Sequence, residues 1–395
     1  MVEIAKDSQM KRLYSLDAIR GLAALTIVIW HWQHFFALSG HWPTVWSREW
    51  QPFYHLIEPL YLEAWAAVDL FFALSGFVFF WLYSQAIREG KVKPGHFALL
   101  RISRLWPLHV LMLVLITGLQ ALFHARAGVD FIFPAEGWSR FLAHVFVVHQ
   151  TVPPNIEQTY NGPSWTVSIE AALYVLFFLL CRFKLNGPRM AALVVIGGTL
   201  LFTWNWFIAR GLMGFFLGGL AYYAVEKVRL SVYAKRWSAI LCGVTVALWA
   251  LVIVEIEFGP LHQAILWITD RLPDDWYDND NTPMLFHIAY ILTVIPLTVI
   301  ALALSETVLG LFPRFYKKTT YLGDISYGVY MLHFPLQTGC ALAALSLGLT
   351  PMFFMHWWAM AGFYAVLLTL ASLSYFYFEK PMQKLIRRLV ETPTR

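Results

Sequence analysis

Ten stretches of predominantly apolar residues follow one another along the chain and constrain its fold more than any other feature. A helix that crosses the hydrocarbon core of a bilayer needs about 20 such residues. Only 13% of the residues are charged, whereas a soluble domain carries roughly 25%. The sequence therefore predicts an all-α fold, a polytopic membrane bundle of about ten transmembrane helices. The predicted spans lie near 16–37, 63–86, 104–124, 164–182, 189–207, 210–226, 237–256, 285–305, 325–346 and 354–378.

The distribution of basic residues predicts how this bundle is oriented. If residues 1–15 lie in the cytoplasm, 24 of the 29 Lys and Arg residues fall on inner segments. Cytoplasmic loops carry such an excess of positive charge, and a missed span would reverse the bias from that point onward. We therefore predict two cytoplasmic termini, with an N-terminal segment at 1–15, one membrane domain at 16–378 and a tail at 379–395. The expected location is the cell inner (plasma) membrane, in contact with membrane lipid.

Composition also argues against several other classes of protein. The net charge of +5 is explained by the inner loops, so no nucleic-acid partner is predicted. Cys181, Cys242 and Cys340 are far apart and form neither a disulfide framework nor a metal-binding spacing, and we predict no metal. The first apolar stretch is too long for a signal peptide and lacks a small-residue cleavage site. An acidic run within 270–280 lacks the central Gly of a calcium-binding loop. The sequence does not indicate an oligomeric state.

The first predicted span contains two ionisable residues, Arg20 and His31, in LDAIRGLAALTIVIWHWQH. Ionisable residues inside a membrane are costly and are functional candidates by default. Their separation places both on one face of a helix, about 16 Å apart. An arginine fork suits a phosphate group and an imidazole suits proton transfer, and a CoA thioester is long enough to reach both. The alternatives are that Arg20 extends to the lipid headgroups and that His31 bonds a neighbouring helix.

Two acidic residues are predicted at a depth similar to that of His31. Asp69 lies in AWAAVDLFFALSGF and Glu170 lies in PSWTVSIEAALY, each about 9 Å from the outer end of its span. A carboxylate beside an imidazole fixes its tautomer and stabilises its protonated form, so Asp69 or Glu170 is predicted to orient His31. A structural hydrogen bond to a neighbouring helix is the alternative for both acids. Trp165, in the same segment as Glu170, is a predicted substrate contact.

A basic pair and a further histidine extend the predicted site. Arg101 and Arg104, in HFALLRISRLWPLHV, are neighbours on one helical face. Together with Arg20 they predict a cationic pocket for the phosphates of a nucleotide, although inner-loop charge alone is the alternative. His333, in ISYGVYMLHFPL, precedes a proline at which the backbone can leave the regular helix. We predict that His333 lines the same cavity and contacts substrate, the alternative being a packing hydrogen bond.

The predicted outer connections are rich in aromatic residues. The segment HWPTVWSREWQPFY offers flat rings on which sugars can stack, although Trp and Tyr also gather at any membrane interface. The stretch Trp138 to His149 is apolar but too short to cross the bilayer. We interpret it as an interfacial or re-entrant helix.

In combination these segments resemble the acyltransferase-3 family of integral membrane acyltransferases. The matching segments are LDAIRGLAALTIVIWHW, VDLFFALSGFV, RISRLWPLHV, PSWTVSIEAALYV, ISYGVYMLHFPL and YFYFEKP, in the family's order from about Leu16 to Pro381. In the resemblance, Arg20 and His31 match the family's essential pair, and Arg101 and Arg104 match its basic motif. Some members add a C-terminal SGNH-type esterase-like domain, which we do not expect here.

The resemblance implies transfer of an acyl group, usually acetyl, from cytoplasmic acyl-CoA to a hydroxyl of an extracytoplasmic or membrane-linked carbohydrate. The expected mechanism holds the phosphates of CoA on Arg20, Arg101 and Arg104 and uses His31 as general base. An acetyl-histidine intermediate is a variant that predicts ping-pong kinetics. A secondary transporter or flippase for a sugar or lipid is the alternative function, since such proteins also carry ionisable residues near the middle of the membrane.

Overall fold

The computed structural model describes residues 12–38, 42–43, 45–152, 157–269 and 282–390, and over these residues it contains helices and no strand. This observation confirms the predicted all-α class. Helices suit a membrane because a helix satisfies its own backbone hydrogen bonds in lipid. The acidic run within 270–280 lies outside the described residues. The α-helices are α1 (Tyr14–His31), α2 (Tyr54–Glu63), α3 (Ala67–Arg88), α4 (Pro94–Ala127), α5 (Trp138–Val145), α6 (Trp165–Arg182), α7 (Pro188–Leu200), α8 (Trp206–Arg229), α9 (Ala234–Phe258), α10 (Pro260–Thr269), α11 (Thr282–Thr307), α12 (Pro313–Ser346), α13 (Trp357–Leu373) and α14 (Lys380–Val390).

Seven helical segments among the described residues are long and apolar enough to cross a membrane. The other three predicted spans coincide with α1, α7 and α12. Helix α7 has only 13 residues, and the described parts of α1 and α12 carry the polar residues of the predicted site, which lower their apolar character. The polytopic helical bundle is therefore confirmed, and the total of ten spans stays a prediction. The segments that qualify are Tyr54–Arg88, Pro94–Ala127, Gly162–Arg182, Trp206–Arg229, Ala234–Phe258, Thr282–Thr307 and Trp357–Leu389.

Helices α1 and α12 pack directly against each other, and this contact positions the predicted site. A Cβ atom on Gly323 of α12 would overlap the backbone oxygen of Asp17 on α1, and one on Gly21 would lie 2.5 Å from the carbonyl carbon of Leu322. Small residues of this kind let membrane helices approach closely. The close approach brings Arg20 and His31 of α1 against the polar side of α12.

The predicted outer connection, between α4 and α6, folds back onto the bundle. It contains the short helix α5, which begins at Trp138 as the apolar pattern predicted and ends at Val145. The indole Nε1 of Trp106 on α4 donates a hydrogen bond to the carbonyl oxygen of Val145 at 2.9 Å. Farther along, the side-chain amide of Asn161 donates to the carbonyl oxygen of Met331 on α12 at 3.1 Å. The connection is thus fastened to both α4 and α12.

Candidate functional site

A cavity of about 190 Å³ lies between α1, α3, α4, α6 and α12, and all three predicted arginines line it. Arg20 comes from α1, whereas Arg101 and Arg104 come from the first turns of α4. Guanidinium groups from two helices are thereby brought to one opening, as the sequence predicted. Three guanidinium groups at one opening repel each other unless an anion lies between them. Their arrangement is therefore typical of a pocket that binds an anion with several oxygens.

Arg20 is held in place by the neighbouring turn of α12. Its Nε donates to the hydroxyl of Ser326 at 3.2 Å, and its Nη2 donates to the carbonyl oxygen of Gly323 at 3.0 Å. The same Nη2 lies 2.7 Å from a carboxylate oxygen of Asp17. Because these partners orient the guanidinium towards the cavity rather than along the bundle surface, Arg20 does not simply extend to the lipid headgroups.

Aromatic rings surround the guanidinium of Arg101. Its central carbon lies 4.8 Å from the ring centre of Phe79, 4.9 Å from that of Tyr83 and 5.9 Å from that of Tyr174. Nη2 donates to the hydroxyl of Tyr83 at 2.8 Å, whereas Nε is buried and has no hydrogen-bond partner. A cation–π cage holds the charge in place and leaves a donor that an oxygen of a ligand can satisfy.

Glu170 also lies in the wall of this cavity, on α6. One of its carboxylate oxygens accepts hydrogen bonds from the hydroxyl of Ser75, at 3.0 Å, and from the hydroxyl of Tyr174. These contacts place Glu170 among the arginines and the aromatic wall. The structure does not bring it to His31, so its predicted role in orienting that imidazole is not supported by the geometry.

His31 lies at the C-terminal end of α1 in a cluster of imidazoles. Its ring centre is 4.8 Å from that of His333 on α12 and 4.9 Å from that of His34, and the Nδ1 atoms of His31 and His34 are 3.4 Å apart. The amide of Gln337 donates to the backbone oxygen of His31 at 2.7 Å. His31 is 8% exposed and His333 is 1% exposed. The structure therefore unites the two predicted histidines and adds His34.

One side chain lines the cavity and also lies beside the imidazole cluster. Tyr330 lines the cavity, whereas His31 and His333 are not among its lining residues. The ring of Tyr330 lies 5.7 Å from that of His333, and its hydroxyl donates to the carbonyl oxygen of Pro163 at 2.7 Å. The sequence predicted one cavity that extends from Arg20 to His31 and His333. The observed cavity is lined by Arg20 but by neither histidine.

Asp69 forms a different contact from the one predicted. Its two carboxylate oxygens accept hydrogen bonds from Nε and Nη2 of Arg210 on α8, at 2.9 and 3.1 Å, and His287 on α11 lies 3.3 Å away. Asp69 is fully buried and Arg210 is 2% exposed. The prediction that Asp69 orients His31 is therefore wrong in geometry, because a buried arginine occupies both oxygens.

Trp165 packs against the arginine of the Asp69–Arg210 ion pair and does not line the cavity. The guanidinium of Arg210 lies 4.9 Å from the ring centres of Trp65 and Trp206 and 5.3 Å from that of Trp165. Trp165 is 5% exposed and packs against a buried cation, so the geometry does not support its predicted contact with substrate. The sequence did not predict the pair of Asp69 and Arg210; the available signal was a lone arginine within an apolar helix.

A polytopic helical bundle with a cation-lined internal cavity and buried imidazoles defines a multi-pass membrane protein with an internal candidate site. The Acyl_transf_3 family model, described as an acyltransferase domain, matches residues 13–377, so the chain belongs to this family of membrane acyltransferases. This confirms the resemblance found in the sequence.

One curated relative is "Protein 2 in picA locus" of Rhizobium radiobacter, which is 40% identical over 111 residues. The match spans 28% of this chain and 47% of the relative, so the chain covers about half of that protein's length. No solved structure matches the chain significantly.

Proposed function

We propose that this acyltransferase moves an acyl group, acetyl in the first instance, from acyl-CoA to a hydroxyl of an extracytoplasmic or membrane-linked carbohydrate. The observation that carries the proposal is the meeting of Arg20, Arg101 and Arg104 in one cavity whose lining residue Tyr330 lies beside His333 of the imidazole cluster. The donor has phosphates at one end and a thioester at the other. The site offers cations at one end and proton acceptors at the other.

The donor is held by its phosphates at the arginines. Arg104 is exposed at the cavity, whereas Arg101 lies within the aromatic cage, so the two can contact different phosphate groups of one nucleotide. Arginine binds phosphate through parallel N–H donors, and the unpartnered Nε of Arg101 supplies one of them. A volume of about 190 Å³ is too small for the whole of CoA. The cavity therefore takes the pantetheine arm while the nucleotide stays at the mouth.

Acyl transfer then takes place at the imidazole cluster. His31 accepts the proton of the acceptor hydroxyl, and the resulting alkoxide oxygen attacks the thioester carbonyl carbon to form a tetrahedral intermediate. When this intermediate collapses, the C–S bond breaks, and the CoA thiolate takes the proton back from the imidazolium to leave as a thiol. General-base assistance of this kind contributes roughly 10²–10⁴-fold to the rate. His333 lies close enough to share the proton or to bind the acceptor hydroxyl.

Donor binding must also move Tyr330. This side chain lines the cavity one helical turn before His333, and its hydroxyl contacts Pro163 and Thr166. A thioester that reaches His31 has to displace the ring. Closure of this kind keeps water from a reactive thioester until both substrates are present.

Aromatic rings beyond the imidazole cluster support a carbohydrate acceptor. Past the end of α1, the ring of Trp46 stacks on Phe36 at 5.1 Å and on Trp42 at 5.3 Å. Trp42 is 46% exposed, so a flat apolar surface is available at the end of the bundle opposite to Arg20. The apolar face of a sugar ring packs on such a surface.

The test is transfer of label from acetyl-labelled acetyl-CoA to envelope glycans of cells that lack this protein, using the purified protein in lipid nanodiscs. We expect labelled glycan and one released CoA thiol per transferred group in the wild type, and neither in His31→Ala. The matched control is His356→Ala, which removes an exposed histidine. Glycan that crosses a membrane in liposomes without gaining label would instead favour the transporter. Equal labelling by wild type and His31→Ala would reject the mechanism.

A further inference from the structure

Three histidines with no part in the proposed reaction meet beside α4. His109 comes from α4, His144 from α5, and His149 from the connection that follows α5. One ligand atom of each ring lies within 4.8 Å of the others. Their exposed fractions are 1%, 1% and 5%, so water does not surround the cluster.

Each ring has one nitrogen with a hydrogen-bond partner and one without. Nε2 of His109 lies 2.8 Å from the carbonyl oxygen of His144, Nε2 of His149 lies 3.2 Å from that of Ser164, and Nε2 of His144 lies 2.9 Å from the hydroxyl of Thr159. The Nδ1 atom of every one of the three rings is buried and has no hydrogen-bond partner. Nδ1 is therefore the nitrogen without a hydrogen-bond partner in all three neighbouring rings.

The partners also determine which nitrogen carries the proton. A carbonyl oxygen only accepts, so Nε2 of His109 and of His149 must be protonated, and their Nδ1 atoms present lone pairs. Buried ring nitrogens without a partner lack solvation, and a bound cation would relieve this cost.

We propose that His109, His144 and His149 bind a divalent transition-metal ion through their Nδ1 atoms, with Zn²⁺ as the preferred ion. Neutral imidazoles are ligands for zinc, which accepts three histidines together with a fourth, exchangeable ligand. Metal-bound histidines usually donate their other ring N–H to a carbonyl or another oxygen acceptor. The three Nε2 contacts reproduce this pattern.

Ion binding requires a modest rearrangement of the rings. The rings of His144 and His149 are stacked at 3.7 Å with an interplanar angle of 10°, and those of His109 and His149 differ by 7°. Since the lone pairs lie in the ring planes, the imidazoles must rotate out of this stack to point at one ion. Tetrahedral zinc with bonds of about 2.0–2.1 Å separates its nitrogens by about 3.4 Å, so they must also move closer together.

The proposed ion would link the outer connection to α4, because His144 and His149 lie on the connection and His109 lies on α4. This connection also carries Phe133, whose ring lies 5.9 Å from that of His34, and Pro163, whose carbonyl oxygen binds Tyr330. Metal at the three histidines would therefore stabilise the wall over the imidazole cluster. The sequence predicted no metal, because its cysteines are widely spaced, and it did not connect these three histidines, which come from α4, α5 and the connection that follows α5.

The first test is the metal content of the purified full-length protein, isolated through a tag without histidines after growth with added zinc. We expect about one zinc per chain in the wild type, and loss of that zinc in both His109→Asn and His149→Asn. The control variant, His356→Ala, should keep the metal, since His356 is exposed and lies outside the cluster. An equal zinc content in the wild type and both cluster variants would overturn the proposal.

A second measurement covers the case in which the variants fold poorly. Wild-type protein stripped with a chelator is titrated with Co²⁺ alone, and tetrahedral cobalt is expected to give visible absorption bands that Zn²⁺ then displaces. The same ion should raise the thermal midpoint of the wild type in proportion to the logarithm of its concentration. If stripped wild-type protein yields neither bands nor a thermal shift, the cluster holds a buried water only and the proposal fails. Neither readout depends on acyl transfer.

Discussion

The imidazole rings of His31 and His333 lie 4.8 Å apart, centre to centre, across the contact between α1 and α12. Nδ1 of His333 lies 2.5 Å from the carbonyl oxygen of Tyr330. Because a carbonyl oxygen only accepts, Nδ1 carries the proton and Nε2 is left with a lone pair. That Nε2 is buried and has no hydrogen-bond partner. Helices α1 and α12 therefore place two imidazoles side by side, and the kinetics of the His31 and His333 variants can distinguish their roles.

Replacement of His31 by Ala is expected to lower kcat by about 10²–10⁴-fold, the usual contribution of a general base. His333→Ala should lower kcat less, because this ring assists the proton transfer or binds the acceptor hydroxyl without accepting its proton first. The measurement is steady-state release of CoA thiol by the purified protein with acetyl-CoA and a glycan acceptor. Incubation with labelled acetyl-CoA alone, followed by isolation of the protein, detects any acetyl-histidine.

The exposed His356 provides the matched control for both substitutions, and His356→Ala should keep the wild-type kcat. If His333→Ala abolishes transfer while His31→Ala retains most of it, the two assignments are reversed. Retention of stable acetylated protein without acceptor would support the covalent variant of the mechanism.

Replacement of Arg101 tests the donor site. Loss of a hydrogen bond to a charged group costs about 1.5–3 kcal/mol, so Arg101→Ala should raise the KM for acetyl-CoA by about 10–100-fold. Arg101→Lys should also raise KM, since lysine keeps the charge but loses the planar fork and its stacking on Phe79 and Tyr83. Initial rates over a range of acetyl-CoA concentrations give these constants.

A shortened donor makes the test of Arg101 specific for phosphate. S-acetylpantetheine lacks the nucleotide and its phosphates, so its KM should be the same for the wild type and Arg101→Ala. Arg126→Ala, at the exposed far end of α4, controls for loss of charge on the same helix. Equal effects of Arg101→Ala on both donors would show that this residue shapes the cavity and does not bind phosphate.

Asp69 is expected to act on stability and not on the chemical step. Asp69→Asn leaves Arg210 as an unpaired buried cation, and breaking a buried pair costs about 3–5 kcal/mol. The thermal midpoint of the variant in detergent should fall, while kcat per folded molecule stays near that of the wild type. Arg210→Gln should have a similar effect, and the double variant should be less unstable than the sum of the single changes.

The original sequence hypothesis for Asp69 makes the opposite prediction. A carboxylate that orients His31 would lower kcat on removal and leave the thermal midpoint unchanged. Asp130→Asn on the outer connection is a suitable control, since this residue pairs with the half-exposed His124. A fall in kcat without a change in thermal midpoint would restore Asp69 to the active site.

The sequence was sufficient for the parts of the site that lie on one helix. Arg20 and His31 share a face because helical periodicity requires it, and the structure places both on the side of α1 that meets α12. The pairing of Arg101 and Arg104 follows from the same rule. Apolar length likewise predicted the helical bundle, because only a helix satisfies the backbone within lipid.

Contacts between helices could not be predicted in this way. Asp69, Glu170 and His31 share a similar calculated depth, but depth does not specify the direction in which each side chain points. Asp69 pairs with Arg210, which is distant in the sequence, and Glu170 accepts hydrogen bonds from the hydroxyls of Ser75 and Tyr174. The histidine cluster beside α4 escaped prediction for the same reason, since its members come from three separate segments.

The close approach of α1 and α12 gives a last prediction, about the position of Arg20. A Cβ at Gly323 would collide with the backbone of Asp17, and backbone atoms cannot move aside as a flexible side chain does. Gly323→Ala should therefore push the helices apart, disturb the contact of Arg20 with the carbonyl oxygen of residue 323, and raise the KM for acetyl-CoA.

Gly339 provides the control on the same helix. A Cβ there would meet only a side-chain carbon of Leu119 at 4.0 Å, so Gly339→Ala fits without displacement. Because alanine is favoured over glycine within a helix by about 0.5–1 kcal/mol, Gly339→Ala should keep the wild-type KM and unfold at an equal or higher temperature. If Gly323→Ala behaves like Gly339→Ala in both measurements, the spacing between α1 and α12 does not set the position of Arg20. Phosphate binding would then depend on Arg101 and Arg104 of α4 and not on the position of Arg20.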